Sequence, residues 1–377
     1  MRQHCKLGAT IPASAISQLP FLRTLLISEC IMSQRTTIPL QLPASLQELS
    51  LRSNKAVVGS IPTALGRLKN LQVLSLAQNN LQGSIPAGLG VLKVLEHLDL
   101  SYNVLSGAVP PVLGELPSLS ILDLSGNLLQ GSIPTSFGGL QALQKLDLSS
   151  NQLKGTVPAQ LGSLRNLQFL ALSQNGFTGP LPASLSRLTS LEYFLMDSNP
   201  LHGALPSFVL GGWPQLRELS MADSSLTGPI STTDLHALFN ISVMNLSNNK
   251  LEGSIPPSLE QLQQLSYLNL SQNFLSGAVP FSARFIEKLS NRLDLHGNPG
   301  LCVSTTAVSF SGELLNAQQL HPCDNRAALS TATGGQGGAS SLRHPNAASR
   351  PSPVPHHQLI YFTFLCILFF DVFCQYN

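Results

Sequence analysis

Leucine recurs along this chain in a fixed figure. Leu71 to Pro86 reads LQVLSLAQNNLQGSIP, and the figure returns at 95–110, 119–134, 143–158, 167–182, 191–206 and 265–280. Its template is L-x-x-L-x-L-x-x-N-x-L-x-G-x-[IVL]-P, and Asn79, Asn103, Asn127, Asn151, Asn175 and Asn199 stand 24 residues apart. A constant period of this length means a chain wound into stacked coils. Leu74 and Leu76 alternate with Ser75 and Ala77, which is the two-residue period of a short strand buried on one face. Such a strand is too short to stand alone, so stacked copies must form one parallel sheet over one leucine core. The pattern predicts an α/β solenoid, a right-handed superhelix of about twelve coils. A short parallel sheet lines its concave side, and 3-10 turns or loops form its convex side, with Gly83 and Pro86 punctuating the turn.

The asparagine follows from the same geometry. It stands where the chain bends inward, and a buried bend strands peptide N–H and C=O groups that a side-chain amide can satisfy as donor and acceptor. The ladder is expected at Asn54, Asn79, Asn103, Asn127, Asn151, Asn175, Asn199, Asn249, Asn273 and Asn298. Cys5 and Cys30 continue its spacing toward the N-terminus and read as buried free thiols in asparagine's place. The alternative is a bridge, since neighbouring ladder positions lie about 4.8 Å apart, within disulfide reach.

Irregular coils mark the ends. Leu7, Ile11 and Pro12 read as the end of a coil whose strand would precede Met1, and no charged start with an apolar stretch opens the chain. The expectation is an N-terminally truncated form of a longer secreted protein, against a cytosolic protein that starts here. Ser224 replaces asparagine, Met221 replaces leucine, and the spacing stretches around GGWPQ, whose Trp213 reads as packing. Past Asn298 the leucine pattern stops. Cys302 and Cys323 follow, reading as a loop that covers the last coil. A bridge between them would contribute about 3 kcal/mol by the chain-entropy model, and two free thiols are the alternative.

Composition narrows the classes. The chain has 377 residues, 43% hydrophobic and 11% charged, with a net charge of +2 and no basic cluster, so no nucleic-acid partner is expected. The nine histidines are scattered, and no metalloprotease, nucleophile-elbow, phosphate-loop or kinase motif occurs. No enzymatic activity, catalytic residue or cofactor is expected. Asp99, Asp123 and Asp147 align one strand apart, but D-L-S is the repeat's own wording, and no metal site is assigned.

The segments divide at 1–300 for the solenoid, 301–326 for the cap, 327–358 for a glycine- and proline-rich linker and 359–377 for an apolar tail. Leu359 to Cys374 falls short of the roughly 20 apolar residues of a spanning helix and contains Asp371. Asn346-Ala347-Ala348, the spacer Ser349 to Gln358 and the tail together fit a lipid-anchor signal with attachment at Asn346; Ser340 is a second candidate. N-x-[ST] sequons stand at Asn240, Asn245 and Asn269. Glycans on Asn245 and Asn269 would close the C-terminal part of the concave face.

Solenoids bind through that face. Its strand positions are mostly small and polar, and against them Phe169, Tyr193 and Leu195 stand out on adjacent coils, with Tyr102 farther up. Asp197, Glu218 and Asp223 would give the patch an acidic rim, suited to a partner with apolar anchors and basic residues.

The plant-type spacing G-x-[IVL]-P, the ending L-D-L-H-G-N-P-G-L-C and an apolar tail without a kinase motif resemble the plant leucine-rich-repeat receptor-like proteins over residues 7–323. FIEKLSNRLDLHGNPGLC is most similar to their Too Many Mouths and Piriformospora-indica-insensitive branch. The family places a capping cysteine pair where Cys302 and Cys323 stand. The resemblance implies a kinase-less cell-surface module for an extracellular peptide, glycan or protein ligand. It further implies a receptor kinase or adaptor as partner and attachment at the plasma membrane. The chain departs from the family in lacking a visible signal peptide and N-terminal cysteine-pair cap. A soluble inhibitor of a wall hydrolase, of the polygalacturonase-inhibiting kind, and a cytosolic scaffold are the alternatives.

Overall fold

A computed structural model of the chain describes residues 2–4, 13–30, 34–231, 235–304, 318 and 320–323. The chain divides into two units, Met1–Asp324 and Asn325–Asn377, and every described residue lies in the first. Cys5, the Leu7 to Pro12 stretch, Ser340, Asn346, the linker and the apolar tail lie outside the described residues.

Each copy of the figure forms one coil. The L-x-L alternation gives three-residue strands such as Val73–Ser75, His97–Asp99, Ile121–Asp123 and Lys145–Asp147, and these pair in parallel within one thirteen-stranded sheet. The register is strict: Leu74, Leu98, Leu122, Leu146 and Leu170 face one another coil after coil. Behind the sheet, Leu98, Leu100, Leu105, Val109, Leu113 and Leu116 of one coil are all at most 2% exposed, and their equivalents continue the same core. The coil closes through a 3-10 turn led by proline, as at Ala87–Val91 after Pro86. Proline suits that place because its fixed φ starts the turn and its missing N–H is not needed there.

Two departures from the sequence pattern concern strands. The first coil has its strand inside the chain, at Arg2–His4, paired with Thr24–Ser28, and not upstream of Met1. The stretch after the ladder asparagine is also a strand and not merely a turn, because N-x-L-x-G keeps the two-residue alternation for one more leucine. Asn80–Gly83, Val104–Ala108, Leu128–Gly131 and Gln152–Gly155 stack into a second, six-stranded sheet on the flank, and a third covers the C-terminal coils.

The asparagine ladder links the coils. Asn103 donates from Nδ2 to the carbonyls of Leu100 and Ser101 in its own bend (both 3.1 Å) and Leu76 in the preceding coil (2.9 Å). Its Oδ1 accepts from the N–H of Leu81 at 3.0 Å. Asn127 repeats the arrangement with Leu124, Ser125, Leu100 and Leu105. Asn54 extends it to the N–H of Cys30. Cys30 itself is disulfide-bonded, its partner cysteine lying outside the described residues, so the free-thiol expectation is wrong at this position. A ladder cysteine can be bridged as well as free, since neighbouring coils come within disulfide reach.

Where Ser224 replaces asparagine, its hydroxyl donates to the carbonyls of Met196 and Ala222. It carries no carbonyl for the N–H of Leu201, which turns to Asn199 O instead. Pro200, in the same bend, lacks the N–H that Asn80 gives to Val57. The flank sheet ends there, at Gly176–Phe177, and a new one starts at Gly203–Ala204. Trp213 fills the enlarged coil behind this break. It is fully buried against Phe194 and Phe208 and donates its indole N–H to Leu185 O at 2.7 Å.

The C-terminal end is closed by hydrogen bonds as well as by sulfur. Cys302 and Cys323 form a disulfide between the paired strands Gly300–Val303 and His321–Pro322. Gln318 then gives the last inner strand what a further coil would supply. Its Oε1 accepts from Leu295 N and its Nε2 donates to Leu293 O.

Asn127→Ala strands the N–H of Leu105 and buried carbonyls on two coils, at about 1–3 kcal/mol for each orphan group. Urea unfolding is therefore expected to show a loss of about 3 kcal/mol; a loss below about 1 kcal/mol would mean that water enters the bend and the ladder is dispensable.

Candidate functional site

The inner sheet turns two rows of side chains outward. One row runs His97, Ile121, Lys145, Phe169, Tyr193, Glu218. The other runs Ser75, Asp99, Asp123, Asp147, Ala171, Leu195, Ser220, Asn245, Asn269. The aspartates are adjacent, as their register requires. Each carboxylate accepts from the serine two residues on: Ser101, Ser125 and Ser149 donate both backbone N–H and hydroxyl.

Lys145, in the neighbouring row, reaches across to these aspartates, and nothing in the spacing of D-L-S announces it. Its ammonium lies 2.8 Å from Asp123 and 4.0 Å from Asp147. Burial pushes the Asp123 carboxyl up, but Lys145 and Ser125 outweigh it and hold it below the usual range. Asp147 keeps the unfavourable share: burial, then the charge of Asp123, push it up to about 6. Burial lowers His97 against the pull of Asp99 and Asp123, which leaves it a weak base.

Phe169 does not offer an exposed aromatic face. It is 2% exposed, roofed by Lys145, whose ammonium stands 5.3 Å from the ring centroid, and flanked by Tyr193 at 5.9 Å. Leu195 is buried with it. The physical reason is mutual cover: large side chains in one row of a parallel sheet lie about 4.8 Å apart and pack on one another. Phe169 and Leu195 are therefore the floor of the patch and Tyr193 its accessible part. Nor is Asp197 a free rim charge. Its Oδ1 accepts from Ser220 Oγ at 2.5 Å and Ala222 N at 2.8 Å, and Ser173 Oγ stands 3.2 Å from Oδ2. Burial pushes its carboxyl up against those donors. Glu218 is half-buried and Asp223 exposed, where Asp223 accepts from Asn248. Arg217 pairs with Glu192 at 3.1 Å beside Tyr193.

Tyr102 stands at the corner between the inner and flank sheets, 46% exposed and with φ of 52°. Its ring lies across Gly126 in the next coil, where an added Cβ would sit 2.8 Å from Cδ1. Glycine is what lets the ring lie down. Burial raises the Tyr102 hydroxyl, and the charges of Asp147 and Asp123 add to it.

Of the sequons, Asn240 is exposed, with Nδ2 3.2 Å from Pro214 O. Asn245 and Asn269 point outward from the inner sheet but are half-buried, their Oδ1 atoms engaged by Ser247 and Ser271.

Comparison with known proteins agrees with this architecture. The family described as Leucine rich repeat matches residues 44–105, 84–129, 105–153 and 117–177, and again 240–262. Receptor like protein 29 of Arabidopsis thaliana is 47% identical over 79 residues, which are 20% of this chain and 17% of that protein. The solved structure of a TDR receptor superposes with a TM-score of 0.70 at 28% identity, over 78% of this chain and 50% of that one. The plant peptide hormone receptor RGFR1, solved in complex with RGF2, gives 0.69 at 30% identity, over 84% and 54%. The chain thus spans about half, or less, of the length of each.

Two outcomes are expected from the inner sheet. Phe169→Ser removes a buried ring from beneath Lys145 and should cost about 3 kcal/mol in urea unfolding, as core aromatic truncations do. Asp147 binds its proton more tightly folded than unfolded, so the stability linked to it is fully present below about pH 4 and is lost as pH rises through about 6. Asp147→Asn should therefore gain in melting temperature over the natural chain between pH 4 and 7; a constant difference across that window would refute the assignment.

Proposed function

We propose that this chain, a leucine-rich-repeat protein of the plant receptor-like class, is the ligand-binding part of a cell-surface receptor. The observation that carries this is the connected row Lys145, Phe169, Tyr193 and Glu218 on the inner sheet. There the small polar positions of the repeat give way to a supported apolar and charged surface. A buried floor of Phe169 and Leu195 holds Tyr193 in place, and a pre-set aromatic loses little entropy on binding. Glu192, Arg217 and Glu218 surround it with polar handles. RGFR1 is a peptide hormone receptor solved with RGF2; by likeness, the ligand here is a peptide or small protein laid along the inner sheet. Signal output then falls to a partner, a leucine-rich-repeat receptor kinase or adaptor in development or defence. The tail from Leu359, with attachment at Asn346, would hold the protein to the outer face of the membrane through a lipid. Glycans on Asn240, and on Asn245 and Asn269 where accessible, would mark it as secreted.

Treating intact cells with phosphatidylinositol-specific phospholipase C tests the location. Release of a species that shrinks on deglycosylation is expected, and an unglycosylated internal protein would sink the cell-surface reading. Tyr193→Ser tests the site. It should cut capture of the natural ligand at least tenfold while lowering the melting temperature much less than Phe169→Ser does, because this side chain is half-exposed and only its inner part packs on Phe169.

A further inference from the structure

Three of the large apolar side chains that remain exposed lie together, away from the Tyr193 centre. Tyr102, Val104 and Leu128 are 46%, 39% and 43% exposed. Val104 and Leu128 open consecutive strands of the flank sheet, Val104–Ala108 and Leu128–Gly131. Leu128 registers with Ser106, so the two apolar side chains are diagonal neighbours on its outer face. Tyr102 lies around the corner from Val104, its ring over Gly126. The ridge spans two coils.

Along its inner side runs the acidic row. Asp99, Asp123 and Asp147 bring three negative charges, and Lys145 returns one, paired at 2.8 Å with Asp123 and only at 4.0 Å with Asp147. Asp99 is held by the hydroxyls of Ser101 and Ser75. His97 adds no full charge near neutrality, since burial lowers it, and the next cation felt here is Arg52, two coils back. The corner is thus an apolar ridge bordered by an excess of two negative charges.

We propose that this corner is a docking surface for a partner protein segment that sets an aliphatic or aromatic side chain on the Tyr102–Val104–Leu128 ridge. An arginine or lysine one or two residues away lies over Tyr102, in the field of the buried carboxylates of Asp99 and Asp147. The apolar anchor fixes position, and the excess charge selects a basic over an acidic neighbour. The ridge itself lies outside the Tyr193 centre, which the acidic row adjoins only at Lys145, so it serves a second chain while Tyr193 is engaged.

The test uses the full-length chain, immobilised at pH 7, and a phage-displayed library of random heptapeptides. Enriched peptides are expected to pair Leu, Ile, Phe or Trp with Arg or Lys within two positions. For a synthetic copy of the strongest, Leu128→Asp and Val104→Asp should each weaken binding at least tenfold at unchanged melting temperature. Citrulline in place of its arginine should weaken it about fivefold, roughly 1 kcal/mol at this temperature. Tyr193→Ser should leave binding as it was. Absence of enrichment, selection of acidic peptides, or binding lost with Tyr193→Ser but kept with Leu128→Asp would each overturn the assignment.

Discussion

A solenoid coil must turn inward through its own core, and the peptide groups at that turn have no sheet partner. The side-chain amide of asparagine meets this constraint with two N–H protons and one carbonyl, spread over its own bend and the coil before it. Asn103 and Asn127 each reach Leu carbonyls in two coils and one leucine N–H. No coil is satisfied by itself, so cohesion passes from neighbour to neighbour. The ends therefore need substitutes, and Gln318 provides one by giving its side-chain amide to Leu293 and Leu295. The break at Ser224 shows the same dependence in reverse. A hydroxyl meets the carbonyls but not the leucine N–H, and the flank sheet stops.

Because the leucines and the ladder carry the fold, the outward rows of the inner sheet are free to vary, and the chain uses that freedom unevenly. Most positions of the row that carries the aspartates stay small. At Lys145, Phe169 and Tyr193 three large side chains in succession cover one another, so a row that began as solvated surface acquires a core of its own. Electrostatics follow from the same crowding. Burial works against the charge of both Asp123 and Asp147, but the Lys145 ammonium lies nearer the first, so Asp123 is held down while Asp147 is pushed up.

Nearly all of the repeat architecture was legible in the sequence, because each leucine, asparagine and proline of the figure acts through a fixed spacing. The flank sheet was missed because glycine and proline after the asparagine read as turn residues, although N-x-L-x-G keeps the strand alternation. Cys30 was misread because a ladder spacing is the same for a free thiol as for a bridged one, so spacing alone could not choose. The site was legible only as a list of unusual residues. Phe169 stands out from the repeat as strongly as Tyr193 does, and sequence offers no measure of which of two neighbours will lie under the other. Lys145 was overlooked because its significance is lateral: it lies one coil from Asp123 and one from Phe169, a relation that the 24-residue period contains but that no local motif expresses.

The corner at Tyr102 shows how a repeat can place recognition beside its structural ladder without weakening it. The residue before each ladder asparagine takes a left-handed backbone, a conformation favoured by glycine and tolerated by short polar residues. Gln78, Ser150, Gln174, Ser198 and Asn248 obey that preference. Tyr102 does not, and a bulky residue there stores roughly 1 kcal/mol or more of strain. Its ring recovers part of this by lying on Gly126, where the same position of the next coil has no side chain. A tyrosine and a glycine one coil apart thus form a matched pair, which fixes an aromatic surface at the edge of the acidic row. Either change alone would leave a hole or a clash, so the two positions are coupled through contact and not through the ladder, whose Asn103 and Asn127 bonds are the same here as elsewhere.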